Sequence, residues 1–489
     1  MKSTIFFNLI ADLISKTFSY PEIDEAEPLS EDSSDLLIKR VESLLQIKFG
    51  EGCFYSHDTL PLSSQVASDI INWCSDNNDY YLFRTLVCRL DAMININKLI
   101  HDYNFNNISL KESERVFDSL NDNVAESGVL IIPKVLSSQT TYPRKDSSGN
   151  PKERTGKNAN YWLDDLNKRL NNIYYVKKDC LNGYHIKNVI YSLPYNKIKG
   201  NYINIGLTPI CNTPVHDLLD YDDNIVKKDF SGKEFLYFGN VKVKDPKMVE
   251  NMFLSSYHTA CSNDIDIFVG PEMLGTHNLT LTDEYGVNKN YESLNSPSII
   301  LTPTMWEKNS NVLTVFSNEG KIIGRQFKQY RFEFTGKRGA CLEDLVSPPK
   351  EVLIVHINGV GRMAFPICMD YLHEKYRNFL ISTLKVDFII CPSFSFGSSN
   401  FERAIDAGAE FGVRCIWLNT CSAIAELFEP PDYIGLVSMP IISDTSTRTR
   451  IKPSCKGSCK KGCLFKIKVP LNCAGESLHN NVNVSIEHL

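Results

Sequence analysis

Apolar positions in the first ninety or so residues recur at helical spacing. Leu37, Val41, Leu44 and Leu45 fall at i, i+4, i+7 and i+8, and Gly50 follows as a stop signal. Ser63 and Ser64 read as caps for a helix running to Cys74, and Leu82, Leu86, Val87, Leu90 and Ile94 mark another apolar stripe. A further helix is expected from Lys111 to Leu120. Met1 to Ser15 holds one lysine and an apolar run broken by Asn8 and Asp12, which suits a helix start better than a signal peptide. No segment repeats at a fixed period, so a solenoid is not expected.

From roughly 137 to 160 the chain turns polar and rich in Ser, Pro, Gly, Lys and Arg, the composition of an exposed loop or linker. Its cations Arg144, Lys145, Lys152, Arg154 and Lys157 are diluted by Asp146 and Glu153, which favours a solvated loop over a polyanion contact. After about residue 200 the texture becomes that of strands. Ile203, Ile205 and Leu207 alternate, and Asp264–Val269, Ser298–Leu301, Val352–Ile357, Met363–Ile367, Phe388–Cys391 and Cys415–Leu418 are short apolar runs. Val312–Phe316 and Lys321–Gly324 flank Asn318-Glu319-Gly320, a hairpin turn. Asp245-Pro246 opens a helix carrying Met248, Met252 and Phe253, while Tyr371–Leu384 and Phe401–Phe411 read as helices between strands. This alternation predicts an α/β layered fold preceded by a mainly helical region. The expected domains are 1–125 (helical), 126–200 (polar linker and connecting region) and 201–489.

Composition narrows the classes. A chain of 489 residues exceeds one ordinary core, so two or three domains are expected. The net charge of −6 and pI of about 6.0 supply no global field for nucleic acid or an anionic membrane. No window approaches about eighteen uninterrupted apolar residues, so no membrane span is expected. The 15 cysteines are odd in number, and Cys88, Cys391 and Cys415 sit inside apolar runs, as buried reduced thiols of a cytoplasmic protein do.

Three strand ends carry chemistry. The run from Asp264 ends in Gly270-Pro271-Glu272, the run from Gly361 ends in Cys368 just before a helix, and Lys328 follows the hairpin strand. A thiol at a strand-to-helix junction gains from the helix's positive end, which favours thiolate, and the next backbone N–H groups are placed to hold an oxyanion. Singly, each residue has a structural explanation: a core thiol, a loop carboxylate, a solvated lysine beside Arg325 and Arg331. The set of three in this order is what points to catalysis.

That order, with its local contexts, resembles the nitrilase superfamily of carbon–nitrogen hydrolases. Pro271-Glu272 resembles the first motif, Gly320-Lys-Ile-Ile-Gly-Arg-Gln-Phe-Lys328 the lysine motif, and Phe365-Pro-Ile-Cys368-Met-Asp370 the cysteine motif. Arg403-Ala404 and Ile416-Trp-Leu-Asn419 follow in the right order, and Cys463–Val469 fits a last strand. The resemblance spans roughly 201–475. It implies a four-layer αββα sandwich paired into a homodimer or larger homo-oligomer, and an amidase or nitrilase reaction needing no cofactor and no metal. By the same resemblance Glu272 is the general base, Cys368 attacks an amide or nitrile carbon of a small-molecule substrate, and Lys328 with the backbone N–H of Met369 stabilises the tetrahedral intermediate. A second glutamate is common in the family; Glu343 is the nearest candidate, in a context that matches poorly. Asp406 stands where a glutamate is commoner, and the insertion from Met273 to Ser298 is atypical.

Two features lie outside the resemblance. Arg448 to Lys461 holds six basic residues and no acid, with Cys455, Cys459 and Cys463 at four-residue intervals and Cys473 beyond. A four-thiolate zinc site, a phosphate-contacting loop and an ordinary exposed loop are all open readings, and Pro453, Gly457 and Gly462 weigh against a helix that would gather the thiols. The N-terminal extension of about 200 residues admits a second class of function: an interaction or effector protein, including one in bacterial anti-phage defence, using the fold as a scaffold and the extension as a surface for a protein partner. Phe394, Phe396 and Trp417 hint at an aromatic pocket, although core packing explains each as well.

Overall fold

A computed structural model of the chain describes residues 2–18, 31–49, 63–77, 80–94, 127–133, 166, 170, 172–191, 202–228, 234–291, 295–336, 339–357, 360–425, 432–439, 448–452, 462–471 and 485–488. The chain falls into two compact units, Met1–Leu136 with Pro143–Ile190, and Ser137–Tyr142 with Tyr191–Leu489. The expected helix at 111–120, the stop at Gly50, the basic loop 137–160, and Cys455, Cys459 and Cys473 lie outside the described residues.

In the first unit four helices form where the apolar stripes stand: α1 (Lys2–Thr17), α2 (Glu31–Phe49), α3 (Ser64–Asn77) and α4 (Tyr80–Ala92). Their buried faces meet in one core that includes Phe6, Leu13, Val41, Leu45, Ile70, Leu86 and Leu90. Ser63 caps α3, its Oγ accepting from Val66 N at 3.2 Å. The strands β1 (Val129–Pro133) and β2 (Ile173–Lys177) pair antiparallel and lend Val129, Ile131 and Ile173 to the same core. Part of the stretch read as linker therefore packs, in strands too short to stand out against their polar flanks. Asp91, buried at the end of α4, accepts from the Asn172 N–H at 3.0 Å, which ties β2 to the helices. A left-handed Asn182 (φ 53°) then turns the chain into β3 (His185–Tyr191).

The second unit is mixed α/β, with three sheets among its described residues. One runs, in spatial order, β11 (Ile322–Phe327), β10 (Ser310–Ser317), β8 (Ile299–Leu301), β7 (Ile267–Val269), β4 (Tyr202–Leu207), β20 (Phe465–Pro470), β21 (Ser485–His488), with β9 (Met305–Glu307) on β10. Another runs β19 (Arg448–Ile451), β18 (Gly435–Ser438), β17 (Arg414–Leu418), β16 (Phe388–Pro392), β15 (Gly361–Ala364), β14 (Glu351–Ile357). In each the three central strands are parallel and the flanking ones antiparallel. β7, β16 and β17 are buried on both faces, which is why they read as unbroken apolar runs, whereas β4 keeps the alternation of Ile203, Ile205 and Leu207.

Helix α5 (Pro246–Cys261) begins where Asp245 accepts from Met248 N at 3.0 Å, and its Phe253 packs on Phe268 of β7 with ring centroids 5.0 Å apart. Helix α6 (Ser399–Glu410) lays Phe401 flat on Trp417 of β17 at 4.6 Å. Strands β11 and β14 bring the two large sheets into contact: a Cβ added to Gly324 on β11 would stand 2.6 Å from Leu353 on β14, and Gln326 Oε1 accepts from Leu353 N at 3.0 Å. The third sheet, β12 (Glu333–Gly336), β13 (Gly339–Glu343), β6 (Glu234–Val243), β5 (Leu219–Lys228), has no counterpart in the sequence reading. Its β5 carries Asp220, Asp222, Asp223 and Asn224, and that polarity hides the strand.

Two expected elements differ. The helix expected over Tyr371–Leu384 is broken: Met369–Leu372 and Glu374–Asn378 are separate turns, split by an extended His373 (φ −72°, ψ 108°), and a wider turn follows over Phe379–Thr383. The strand expected from Asp264 starts only at Ile267, because Asp264 is left-handed (φ 51°). Among the described residues no helix is long and apolar enough to cross a membrane.

Candidate active site

Strand β7 ends in Gly270-Pro271 and delivers Glu272; β11 ends one residue before Lys328; β15 is followed by Phe365–Ile367 and then Cys368. All three side chains, and Glu343 at the end of β13, are within about one per cent of full burial; Glu272, Lys328 and Glu343 meet in one cluster, and their charges act on Cys368. Lys328 Nζ donates to Glu272 Oε1 at 2.7 Å and pairs with Glu343 Oε2 at 2.6 Å. Glu343 reaches the lysine because β13 runs parallel to β6, with Glu343 opposite Phe238. Its surroundings are set by this non-local pairing, which explains why its local sequence matched poorly.

One strap organises the cluster. Pro392 O accepts from Cys368 N at 3.0 Å, Ser393 O accepts from Glu272 N at 3.4 Å, and Phe394 N donates to Glu272 Oε2 at 2.7 Å. Asn419, at the end of β17, holds the strap on its far side: its Oδ1 accepts from Ser395 N at 2.9 Å and its Nδ2 donates to Ser395 O at 2.7 Å. Phe394 thus acts here through its backbone while its ring joins the core; Trp417 is core under α6. Asp406 faces Arg448 at 3.2 Å, on α6 and away from this cluster's hydrogen bonds.

The electrostatics differ from the sequence expectation in one respect. A thiolate favoured by a helix N-terminus was expected at Cys368, but the following turn, Met369–Leu372, is a single turn with little dipole, and burial dominates. Burial, and then the charge of Glu272, push the Cys368 thiol well above its ordinary range; Lys328 opposes them without prevailing. The resting group is a thiol, and a base is needed to ionise it. Burial alone would lower the Lys328 ammonium, yet the two carboxylates outweigh it and hold it charged, well above the usual lysine value. Burial raises Glu343, and Lys328 only partly offsets this.

The Cys368 backbone sits at φ 46°, ψ −104°, a region L-residues avoid. The Met369 N–H begins the next turn, where no intrahelical acceptor exists, so it is placed to donate outward. Cluster and elbow together offer a nucleophile, a base beside a fixed cation, and an N–H donor.

Two residues were missed. Asn311, at the start of β10, donates from Nδ2 to Glu272 Oε1 at 2.9 Å and lies 3.5 Å from Glu343 Oε1. Its sequence carried no signal, since it stands at the polar start of the apolar run Val312–Phe316. Asp370 ties the lysine segment to the cysteine elbow: Oδ1 accepts from Gln329 N (2.9 Å) and Tyr330 N (2.8 Å), and Oδ2 from Ile367 N (3.2 Å). Burial raises its carboxyl to about 7, and Lys328 and the three N–H groups do not offset it. The folded state therefore holds a proton that the unfolded chain releases near pH 4, and the stability this group contributes falls as pH rises from about 4 to 7. Asp370→Asn is expected to cost about 1–3 kcal/mol, since an amide NH₂ opposes a backbone N–H, and to flatten that decline. Urea midpoints at pH 5 and pH 8 check it; an unchanged pH slope would rule the assignment out.

No family model and no curated protein matches the sequence. Solved structures of an amidase from Nesterenkonia sp. are similar over part of the chain. One, at 13% identity and TM-score 0.35, covers 58% of this chain and 97% of that one. Another, an alanine mutant of the Nesterenkonia AN1 amidase described as from the nitrilase superfamily, shows 12% identity and TM-score 0.34, with 58% and 98% covered. A third, a mutant with the acetamide moiety of fluoroacetamide added covalently at its active-site cysteine, shows 11% identity and TM-score 0.36, with 58% and 98% covered. A likeness this distant assigns neither chemistry nor residue roles to this chain.

Proposed function

We propose that the second unit is a carbon–nitrogen hydrolase of the nitrilase kind, acting on a small amide or nitrile through a covalent intermediate on Cys368. The observation that carries this reading is the buried ammonium of Lys328, held at 2.7 and 2.6 Å by Glu272 and Glu343. Cys368 lies close enough to share their field, on a strained elbow. Burying two carboxylates and a cation is costly, and a core needing only stability is served as well by apolar residues. The contacts of α5 on β7, β11 on β14 and α6 on β17 support an αββα layering.

In this reading Glu272 takes the thiol proton as sulfur attacks the carbonyl carbon, and the oxyanion is met by Lys328 and the Met369 N–H. The protonated Glu272 gives its proton to the departing amine, leaving a thioester. Glu272 then removes a proton from water, whose oxygen attacks the thioester carbon; the C–S bond breaks, the acid leaves, and Glu272 returns the proton to the Cys368 sulfur, restoring the thiol and the carboxylate. Homo-oligomerisation, and a partner bound through the first unit, remain separate proposals with no role in this chemistry.

Glu272→Gln is expected to slow alkylation of Cys368 by iodoacetamide about 10²-fold at neutral pH, the range for losing a general base. Stopped-time alkylation followed by peptide mapping measures it. A rate and pH profile equal to wild type would remove Glu272 from the base role.

A further inference from the structure

Asn311 opens β10 with its amide nitrogen turned to the carboxylates, donating to Glu272 Oε1 at 2.9 Å and lying 3.5 Å from Glu343 Oε1. The reverse orientation would set its carbonyl oxygen against two acceptors, so the nitrogen end is fixed there. Oδ1 points away from both, and it is buried without a hydrogen-bond partner among the described residues. The side chain is 1% exposed, and an orphaned buried carbonyl is costly. A second orphan stands opposite. Trp306 of β9 pairs with Asn311 in the antiparallel register, which puts both side chains on one face of the sheet. Its indole Nε1, a donor only, is also buried without a partner among the described residues. The indole packs on the apolar cluster that holds Phe394, whose N–H binds Glu272, and that Met273, next to Glu272, also joins. Its far edge lies beside the neighbour of Glu343: a Cβ added to Gly239 would stand 3.4 Å from Trp306 Cζ2 and 3.3 Å from Asp344 Cβ.

We propose that Asn311 Oδ1 and Trp306 Nε1 form a subsite that reads a hydroxyl group, so that the substrate is a short amide carrying a hydroxyl near its reacting carbonyl. Directly opposite residues have Cβ atoms about 4.5–5.5 Å apart, a gap that one small group spans. A single hydroxyl satisfies both orphans: its oxygen accepts from the indole N–H and its hydrogen goes to Oδ1. A methyl in that place leaves two buried polar atoms unpaired. A carboxylate has no proton for Oδ1, and it brings a further acid to a cluster where two already share one ammonium. This inference rests on the hydrolase reading for the reacting end of the substrate and adds what holds the other end.

Calorimetric titration of the full chain carrying Cys368→Ala, which removes the nucleophile, compares matched pairs: glycolamide with propanamide, 3-hydroxypropanamide with butanamide, and 4-hydroxybutanamide with pentanamide. In at least one pair the hydroxyl member is expected to bind about 10- to 100-fold more tightly, since a subsite built for hydrogen bonds penalises the analogue that lacks them. Succinamate, which ends in a carboxylate, is expected to bind more weakly than butanamide. Trp306→Phe in the same background keeps a ring and removes the donor, and it is expected to reduce the hydroxyl preference about tenfold. A purely structural role for Trp306 would shift both members of a pair alike. If Trp306→Phe does not fold, the matched pairs on the Cys368→Ala chain still decide. Equal affinities within every pair, or no binding by any member, would overturn the inference and leave the two orphans to a bridging water. The hydrolase reading fails separately: a hydroxyl preference in binding, with no ammonia released from the same amides by wild type, would overturn that reading and leave the subsite standing.

Discussion

Cys368→Ser is expected to lower amide turnover by at least about 10⁴-fold, the scale on which removal of a catalytic nucleophile acts, with the fold unchanged. The site holds sulfur as a buried thiol, so attack depends on a proton transfer to Glu272 that a thiol permits and an alcohol resists far more strongly. Oxygen for sulfur is a small volume change in a pocket already paired through the Cys368 N–H to Pro392 O, so the denaturation midpoint should move little. A panel of aliphatic amides and nitriles assayed by ammonia release checks it. Wild-type turnover in the folded variant would remove Cys368 from the mechanism.

Lys328→Met is expected to lose both activity and stability. Removing one oxyanion-stabilising group costs about 10²–10³-fold in turnover. The larger effect is on the fold: two carboxylates lose the only cation that the described residues place against them, which costs about 3–5 kcal/mol for a broken buried pair. The sign of the pH dependence follows from the carboxyls. Without the ammonium Glu343, which burial already raises, binds its proton more tightly folded than unfolded, so the variant is most stable below about pH 4, where both states are protonated, and weakens as pH rises. Denaturant titrations from pH 4 to pH 8 should show the gap from wild type widening with pH. A constant gap would mean that the lysine is not what balances Glu272 and Glu343.

Much of the site was legible because its parts stand at strand ends, where local pattern is informative. Glu272, Lys328 and Cys368 each follow an apolar run that ends in a turn signal, and the helices of the first unit bury the residues that the i, i+4 spacing marked. What escaped depended on non-local pairing. Glu343 reaches Lys328 only because β13 joins β6, a hairpin strand whose partner β5 is acidic and reads as loop. Asn311 looks like any polar residue entering a strand until β7 and β13 bring two carboxylates to its amide. The ionisation of Cys368 was misjudged for a related reason: sequence shows a helix start, whereas burial and the field of Glu272 depend on everything folded around it.

The most direct test of the central claim is intact-mass and peptide-mapped spectrometry of Glu272→Gln and wild-type protein mixed with short aliphatic amides and quenched in acid. In the proposed mechanism Glu272 is needed to form the thioester as well as to hydrolyse it, so the adduct is expected on wild-type protein caught by the quench and, at most, at a lower level on Glu272→Gln. The predicted result is a mass increase equal to the acyl group, confined to the peptide holding Cys368 and gone after hydroxylamine. No adduct across the panel in either protein, or acylation that maps to Cys391 or another thiol while Cys368 stays free, would contradict it.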